Sequence, residues 1–347
     1  MSCPVSHETP TREPARSAGD AATTRAHADA SAAAVRRFER VAGSVFLALF
    51  GVGLYDQTML PAVSAALEVT GRVRDEPWGR ARRTAAADQI LYQAEEADRL
   101  AEAERLLRLH RDVKGVGTDG VRYSALAPES WNWILYSAFF VQYHAYRTVT
   151  GDRPTAAEDQ AIWDAFRAST APLHLPGRSV PIADYREMVE HYNRVVAEQL
   201  RRTPTLAAAT GAIDAAPRPD FLPPLAEPLW RMAAPFIRHM IIVLGCGIMH
   251  PQVRELMPYP WTRRQEREFR ALATVLRLAY HALPAAVTDT ALARNRRRYR
   301  KLVSKYKGMG LNSFAPDLVS ARRRPTRGLE SSPRQHLSGQ QLFVSDR

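Results

Sequence analysis

In the stretch LLRLHRDVKG, Leu106 to Gly115, a histidine stands where helical spacing calls for another apolar residue. With Arg99 to Val113 read as a helix, Leu100, Ala103, Leu107 and His110 recur at intervals of three and four and share one face. An imidazole on such a face is either hydrogen-bonded into the core or offers a nitrogen lone pair to a metal from a water-poor wall. A second concentration of chemistry lies in GRARRTAAADQILYQ, where Arg80, Arg83 and Thr84 stand at i, i+3 and i+4. Two guanidinium groups and a hydroxyl then occupy one side of a helix, and Ala87 and Leu91 continue that side as apolar residues. This suits a pocket with an apolar inner wall and a mouth that receives an anion or an oxygen species. The plainer alternative is solvated arginines with Thr84 bonded back to a carbonyl. His144, on the aromatic face of YHAY, and His239 and His250, flanking MIIVLGCGIM, are read as hydrogen-bonded structural histidines.

The elements that must position these groups are helical. The pattern predicts helices over 35–50, 57–70, 78–92, 95–113, 128–149, 155–170, 181–201, 226–246, 262–282 and 287–307. Thr155 followed by AAED puts carboxylates in a first turn, and Pro181 to Asp184 precedes a periodic run. Alternating β-branched stretches are almost absent, so a sheet has no obvious source. The loops GVGTDGVRY, LHLPGRSVP and PRPDFLPPLAEP collect Gly and Pro without introducing a new core. The expected fold is therefore one all-α globular domain over 34–307, preceded by a disordered leader over 1–33 and followed by a basic, largely disordered tail over 308–347.

Composition narrows the function. The chain has 347 residues, of which 46% are hydrophobic and 24% charged, the balance of a globular protein. Its two cysteines, Cys3 and Cys246, are far apart, which argues against a disulfide framework and a cysteine-ligated zinc and leads us to expect a cytoplasmic protein. The runs SVFLALFGVGLY and MIIVLGCGIM fall short of the roughly 20 residues that span a bilayer, so no transmembrane segment is expected. The formal net charge of +12 is concentrated in Arg294–Lys307, with eight basic and no acidic residues, and in Arg322–Arg347. That arm suits weak contact with anionic surfaces, while the near-neutral body gives no specific nucleic-acid footprint. Gly-rich phosphate loops, HExxH, GxSxG and the paired His/carboxylate motif of di-iron bundles are all missing.

The order RARRT, then His110 with Val113 and Gly115 (HxxVxG), then YSALAPE, then Trp133 and Ile134 resembles the MpaB-type oxygenase and rubber oxygenase (latex-clearing protein) superfamily. The resemblance runs from about Tyr55 to Val287 and includes PLWRMAAPFIRHM, HPQVRELMPYPW and the closing LPAAV. It implies an all-α protein that holds haem b in a buried pocket and uses dioxygen on carbon-carbon double bonds of an apolar, isoprenoid-like or secondary-metabolite substrate. Carried over by motif, His110 is the proximal iron ligand, and Arg80, Arg83 and Thr84 line the distal side, with Arg80 also a candidate partner of a haem propionate. The second nitrogen of His110 is then expected to donate to a carbonyl or carboxylate. In rubber-cleaving relatives a lysine that can reach the iron stands where this chain has Arg83, a poor ligand. Many relatives carry a histidine where this chain has Leu135. The alternative readings are a haemless relative that binds an apolar ligand, and a non-catalytic helical protein docked on nucleic acid or a membrane by its basic arm.

Overall fold

A computed structural model describes residues 18–118, 120–175, 180–219 and 222–309 of the chain. The chain groups into two units, Met1–Arg298 and Tyr299–Arg347. All packing below concerns the first; of the second, the described residues continue a helix to Met309.

In chain order the helices are α1 (Ala18–Ala42), α2 (Pro61–Thr70), α3 (Arg72–Asp75), α4 (Pro77–Gln93), α5 (Glu96–His110), α6 (Pro128–Thr150), α7 (Ala156–Thr170), α8 (Tyr185–Glu198), α9 (Pro204–Asp214), α10 (Glu227–Ile248), α11 (Pro251–Leu256), α12 (Arg263–Ala282), α13 (Ala285–Thr288) and α14 (Ala291–Met309). One antiparallel pair, β1 (Lys114–Val116) and β2 (Arg122–Ser124), crosses the segment expected as a plain loop. The all-α expectation holds.

Helix α6 is apolar on nearly every side, with Trp133, Tyr136, Phe139, Tyr143, Tyr146 and Val149 buried. A helix of that composition has to be enclosed by other elements. It starts with proline in its first turn and ends where Gly151, at φ 78°, donates its N–H to Arg147 O; that left-handed conformation favours glycine. Around it pack α1, α12 and a 3₁₀ helix over Val45–Met59. The ring of Phe139 meets Trp163 and Phe166 of α7 edge-on at 4.7 and 5.2 Å. Both helix starts expected from Thr155 and Asp184 are capped. Thr155 and Glu158 form a reciprocal capping box, and Asp184 Oδ1 accepts from Glu187 N at 2.9 Å.

Three expectations need correction. The leader expected over 1–33 is helical from Ala18 onward, because α1 places Ala34, Phe38 and Val41 at helical spacing in the core; residues 1–17 lie outside the described residues. The apolar run after Ser44 is a 3₁₀ helix, where the periodicity predicted α-helix to residue 50. Helix α9, in TPTLAAATGAID, was not predicted; Thr203 caps it by accepting from Leu206 N at 3.1 Å. The tail beyond Met309 also lies outside the described residues.

Helix α10 lays its second half against the 3₁₀ helix, burying Val243, Leu244 and Cys246. Its first half exposes Leu229, Met232 and Phe236. The stretch Pro224–Ile248 is the one described helix long and apolar enough to cross a membrane, since the helix extends well upstream of MIIVLGCGIM. The close approach to the 3₁₀ helix depends on Gly245, where an added Cβ would lie 2.5 Å from Val52 Cβ and 3.0 Å from Gly53 N. Gly245→Ala is therefore expected to destabilise the fold by roughly 1–3 kcal/mol in chemical denaturation. Gly51→Ala, where nothing lies within 4 Å, is expected to change little, so equal stability of the two variants would contradict this packing.

Candidate functional site

The two chemistry-bearing stretches form the helical hairpin α4–α5. Helix α4 is anchored at both ends. Trp78 Nε1 donates to Ala212 O at 3.2 Å, and Tyr92 O accepts from Arg296 Nη1 at 2.9 Å. Ala94 and Glu95 then fold α5 back onto it. At 1.5 Å per residue, Arg80 and His110 stand about equally far from that turn, roughly 21 and 22 Å along their helices. Between the helices, Leu91 and Ala103 join Trp131, Leu135, Leu173 and Leu175 in one apolar cluster, with Leu106 and Leu107 packed against it. Leu135, where relatives often carry histidine, is a buried member of this wall.

His110 is the last residue of α5 and is half-buried. Its Nδ1 lies 2.7 Å from Leu106 O. A carbonyl oxygen can only accept, so Nδ1 carries the hydrogen and Nε2 the lone pair. The ring stands edge-on to Trp131, centroids 5.4 Å apart, and the indole is held by Nε1 donating to Leu173 O at 2.8 Å. The carbonyl partner expected for the imidazole is thus Leu106 O.

Arg80, Arg83 and Thr84 share the open end of α4. Arg80 is half-buried, whereas Thr84 is exposed and Arg83 pairs with Glu76 Oε2 at 3.2 Å with its side chain 58% exposed. Asp88, one turn beyond Thr84, was not singled out from sequence. The side chain is half-buried, and desolvation pushes its carboxyl up to about 7. The only available signal was an acidic residue on the inner side of an otherwise apolar turn.

A separate, partly open cavity lies elsewhere in the body. Its volume is about 330 Å³, and it is lined by Asp56, Phe140, His144, Arg147, Tyr192 and His250 among others, and by none of the four residues above. Asp56 accepts from Ser137 Oγ at 2.5 Å and Tyr192 OH at 3.1 Å, and burial pushes its carboxyl up to about 6 against those hydrogen bonds. Burial, then the Arg147 and His250 charges, lowers His144 to about 4. His250 caps α11 through Nδ1, whereas His239 lies at the surface, 2.9 Å from Glu268. Among the described residues no group of three or more His, Cys, Asp and Glu side chains could hold a metal ion.

With this geometry in hand, residues 39–278 match the family described as ER-bound oxygenase mpaB/B'/Rubber oxygenase, catalytic domain. The chain belongs to this oxygenase family. Two uncharacterised mycobacterial proteins, Mb2261 of Mycobacterium bovis and Rv2237 of Mycobacterium tuberculosis, are each 28% identical over 218 residues, spanning 62% of this chain and 79% of the relative. No solved structure matches the chain.

The haem that the resemblance implies can be tested against the residues present. His110 Nδ1 is held by the Leu106 carbonyl, the kind of contact that orients a ligating histidine. The neighbouring wall is apolar, and guanidinium groups at the open end suit carboxylates. An imidazole beside an apolar wall and guanidinium groups for carboxylates are the residue types that would hold an iron porphyrin.

Asp88 generates a prediction about stability. Its folded carboxyl keeps a proton up to about pH 7, while the unfolded chain releases it near 3.9, so stability is lost as pH rises through that window. Asp88→Asn is expected to flatten the fall in melting temperature between pH 4 and 7 and to stabilise the fold at pH 8 by on the order of 2 kcal/mol. A smaller slope up to about pH 6 remains from Asp56, which has the same sign. An unchanged pH profile in the variant would show that Asp88 is solvated.

Proposed function

We propose that this chain is a haem b-dependent oxygenase that uses dioxygen on a small apolar substrate, isoprenoid-like or a secondary metabolite, at a carbon-carbon double bond. The observation that supports the reading is the contact of His110 Nδ1 with Leu106 O at 2.7 Å, which in a neutral imidazole puts the lone pair on Nε2. When bound, the haem supplies the activation of dioxygen, chemistry that no protein side chain provides. His110 would hold the cofactor beside the leucine-rich wall and Trp131.

On α4, Arg80 and Thr84 offer donors to an oxygen atom that gains negative charge during reaction, a contribution typically of about 3 kcal/mol for one preorganised donor. Arg83 has a different task. Its exposed pair with Glu76 is of a kind worth at most about 1 kcal/mol, so a propionate carboxylate can replace Glu76 at little cost.

Two outcomes follow. His110→Gly is expected to purify without a Soret band while retaining its far-UV helical signal, and to recover the band when imidazole is supplied with haem. One haem per chain retained by the unsupplemented variant would remove His110 from the assignment. Thr84→Ala and Arg80→Ala are expected to keep most of the haem yet lose about tenfold to a thousandfold in turnover of an alkene substrate, because a distal donor acts on reactivity before affinity. Full turnover in both would take α4 out of the chemistry.

A further inference from the structure

The cavity between the 3₁₀ helix, α6, α8 and the α10–α11 junction is not used by the function proposed above. Trp131, beside His110, and His144, in the cavity wall, are thirteen residues apart on α6, roughly 20 Å of helix. The volume, about 330 Å³, holds roughly ten waters at ~30 Å³ each and lies at the lower end of small-molecule sites.

Most polar groups in its wall already have partners. Asp56 is sealed by the Ser137 and Tyr192 hydroxyls, and Tyr143 OH donates to Asp159. Three groups are left for a ligand. His250 accepts from Gln252 N at Nδ1, 3.3 Å away, so its Nε2 carries a hydrogen. His144 packs against the rings of Phe140 and Tyr143 and has no hydrogen-bond partner among the described residues. Arg147, exposed at the mouth, lies 5.7 Å from the Tyr143 ring centroid and has no ion pair among the described residues. The Tyr185 hydroxyl, hydrogen-bonded with Tyr143, and the amide of exposed Asn193 at the rim are the other polar groups; Val141, Val189 and Ile248 supply apolar wall.

We infer that this cavity binds a small amphipathic carboxylate, with its apolar body between Phe140, Val189 and Ile248, its carboxylate on Arg147, and the two imidazoles as a polar inner wall. The charge pattern selects this class. Burial holds both imidazoles below their usual titration range and so neutral at pH 7; the Asp56 carboxyl is turned to the Ser137 and Tyr192 hydroxyls, and Arg147, which acts on Asp159 without an ion pair among the described residues, is the cation of the lining. A guanidinium at the mouth of an apolar cavity favours a carboxylate over the alcohol of the same skeleton.

The test compares trans-cinnamate with cinnamyl alcohol by titration calorimetry on the full chain at pH 7. The wild type is expected to bind cinnamate at one site with Kd below about 1 mM and to bind the alcohol more weakly. Arg147→Gln is expected to weaken cinnamate at least threefold and leave the alcohol unchanged. Val189→Trp, which fills the cavity, is expected to abolish both; Asn193→Trp at the exposed rim replaces it if Val189→Trp loses its helical signal. The His110→Gly chain is expected to bind cinnamate like the wild type, so failure of the haem assignment leaves this result intact. Absence of saturable cinnamate binding, equal cinnamate affinity after Arg147→Gln, or binding that survives the tryptophan variant would overturn the proposal.

Discussion

The burial of α6 around nearly its whole circumference is the constraint on which the rest of the structure depends. Its aromatic residues cannot face water, so α1, α7, α12 and the 3₁₀ helix are drawn around it, and the glycine at 245 lets α10 close the far side. The same helix fixes both places where chemistry is available. Near its start, Trp131 braces the His110 ring; near its end, His144 and Arg147 line the cavity. Between them, Ser137 donates to Asp56 and ties α6 to the 3₁₀ helix through a buried hydrogen bond. Loss of that bond would leave a desolvated carboxyl short of a partner in the centre of the fold.

His110 shows how local structure prepares a functional group. A histidine at the C-terminal end of a helix finds the carbonyl of the preceding turn within reach, and that contact selects one tautomer. Nothing about the interaction is costly or strained. The wall beside it is leucine and tryptophan, and α4, which carries Arg80, Arg83 and Thr84, packs against the same helix.

Much of this was legible in the sequence because it follows from period and capping. The α4 and α5 segments, the buried run of α6, and the starts at Thr155 and Asp184 follow from apolar spacing and side-chain oxygens. The grouping of Arg80, Arg83 and Thr84 on one face is a consequence of i, i+3, i+4 geometry alone. What stayed hidden depends on contacts distant in sequence. The close approach of Val45–Met59 to Gly245, the desolvation of Asp88 by surrounding elements, and the cavity, assembled from four separate segments, all depend on such contacts. The exposure of Thr84 and the pairing of Arg83 with Glu76 were likewise beyond periodicity, which assigns a face without saying what covers it.

The central claim is that the α4–α5 hairpin holds a haem through His110. The most direct measurement is the visible spectrum of the wild-type chain, purified from haem-sufficient cells and assayed as the pyridine haemochrome. The account predicts a Soret band and one haem b per chain. A colourless protein that takes up no haem on titration with hemin would contradict it.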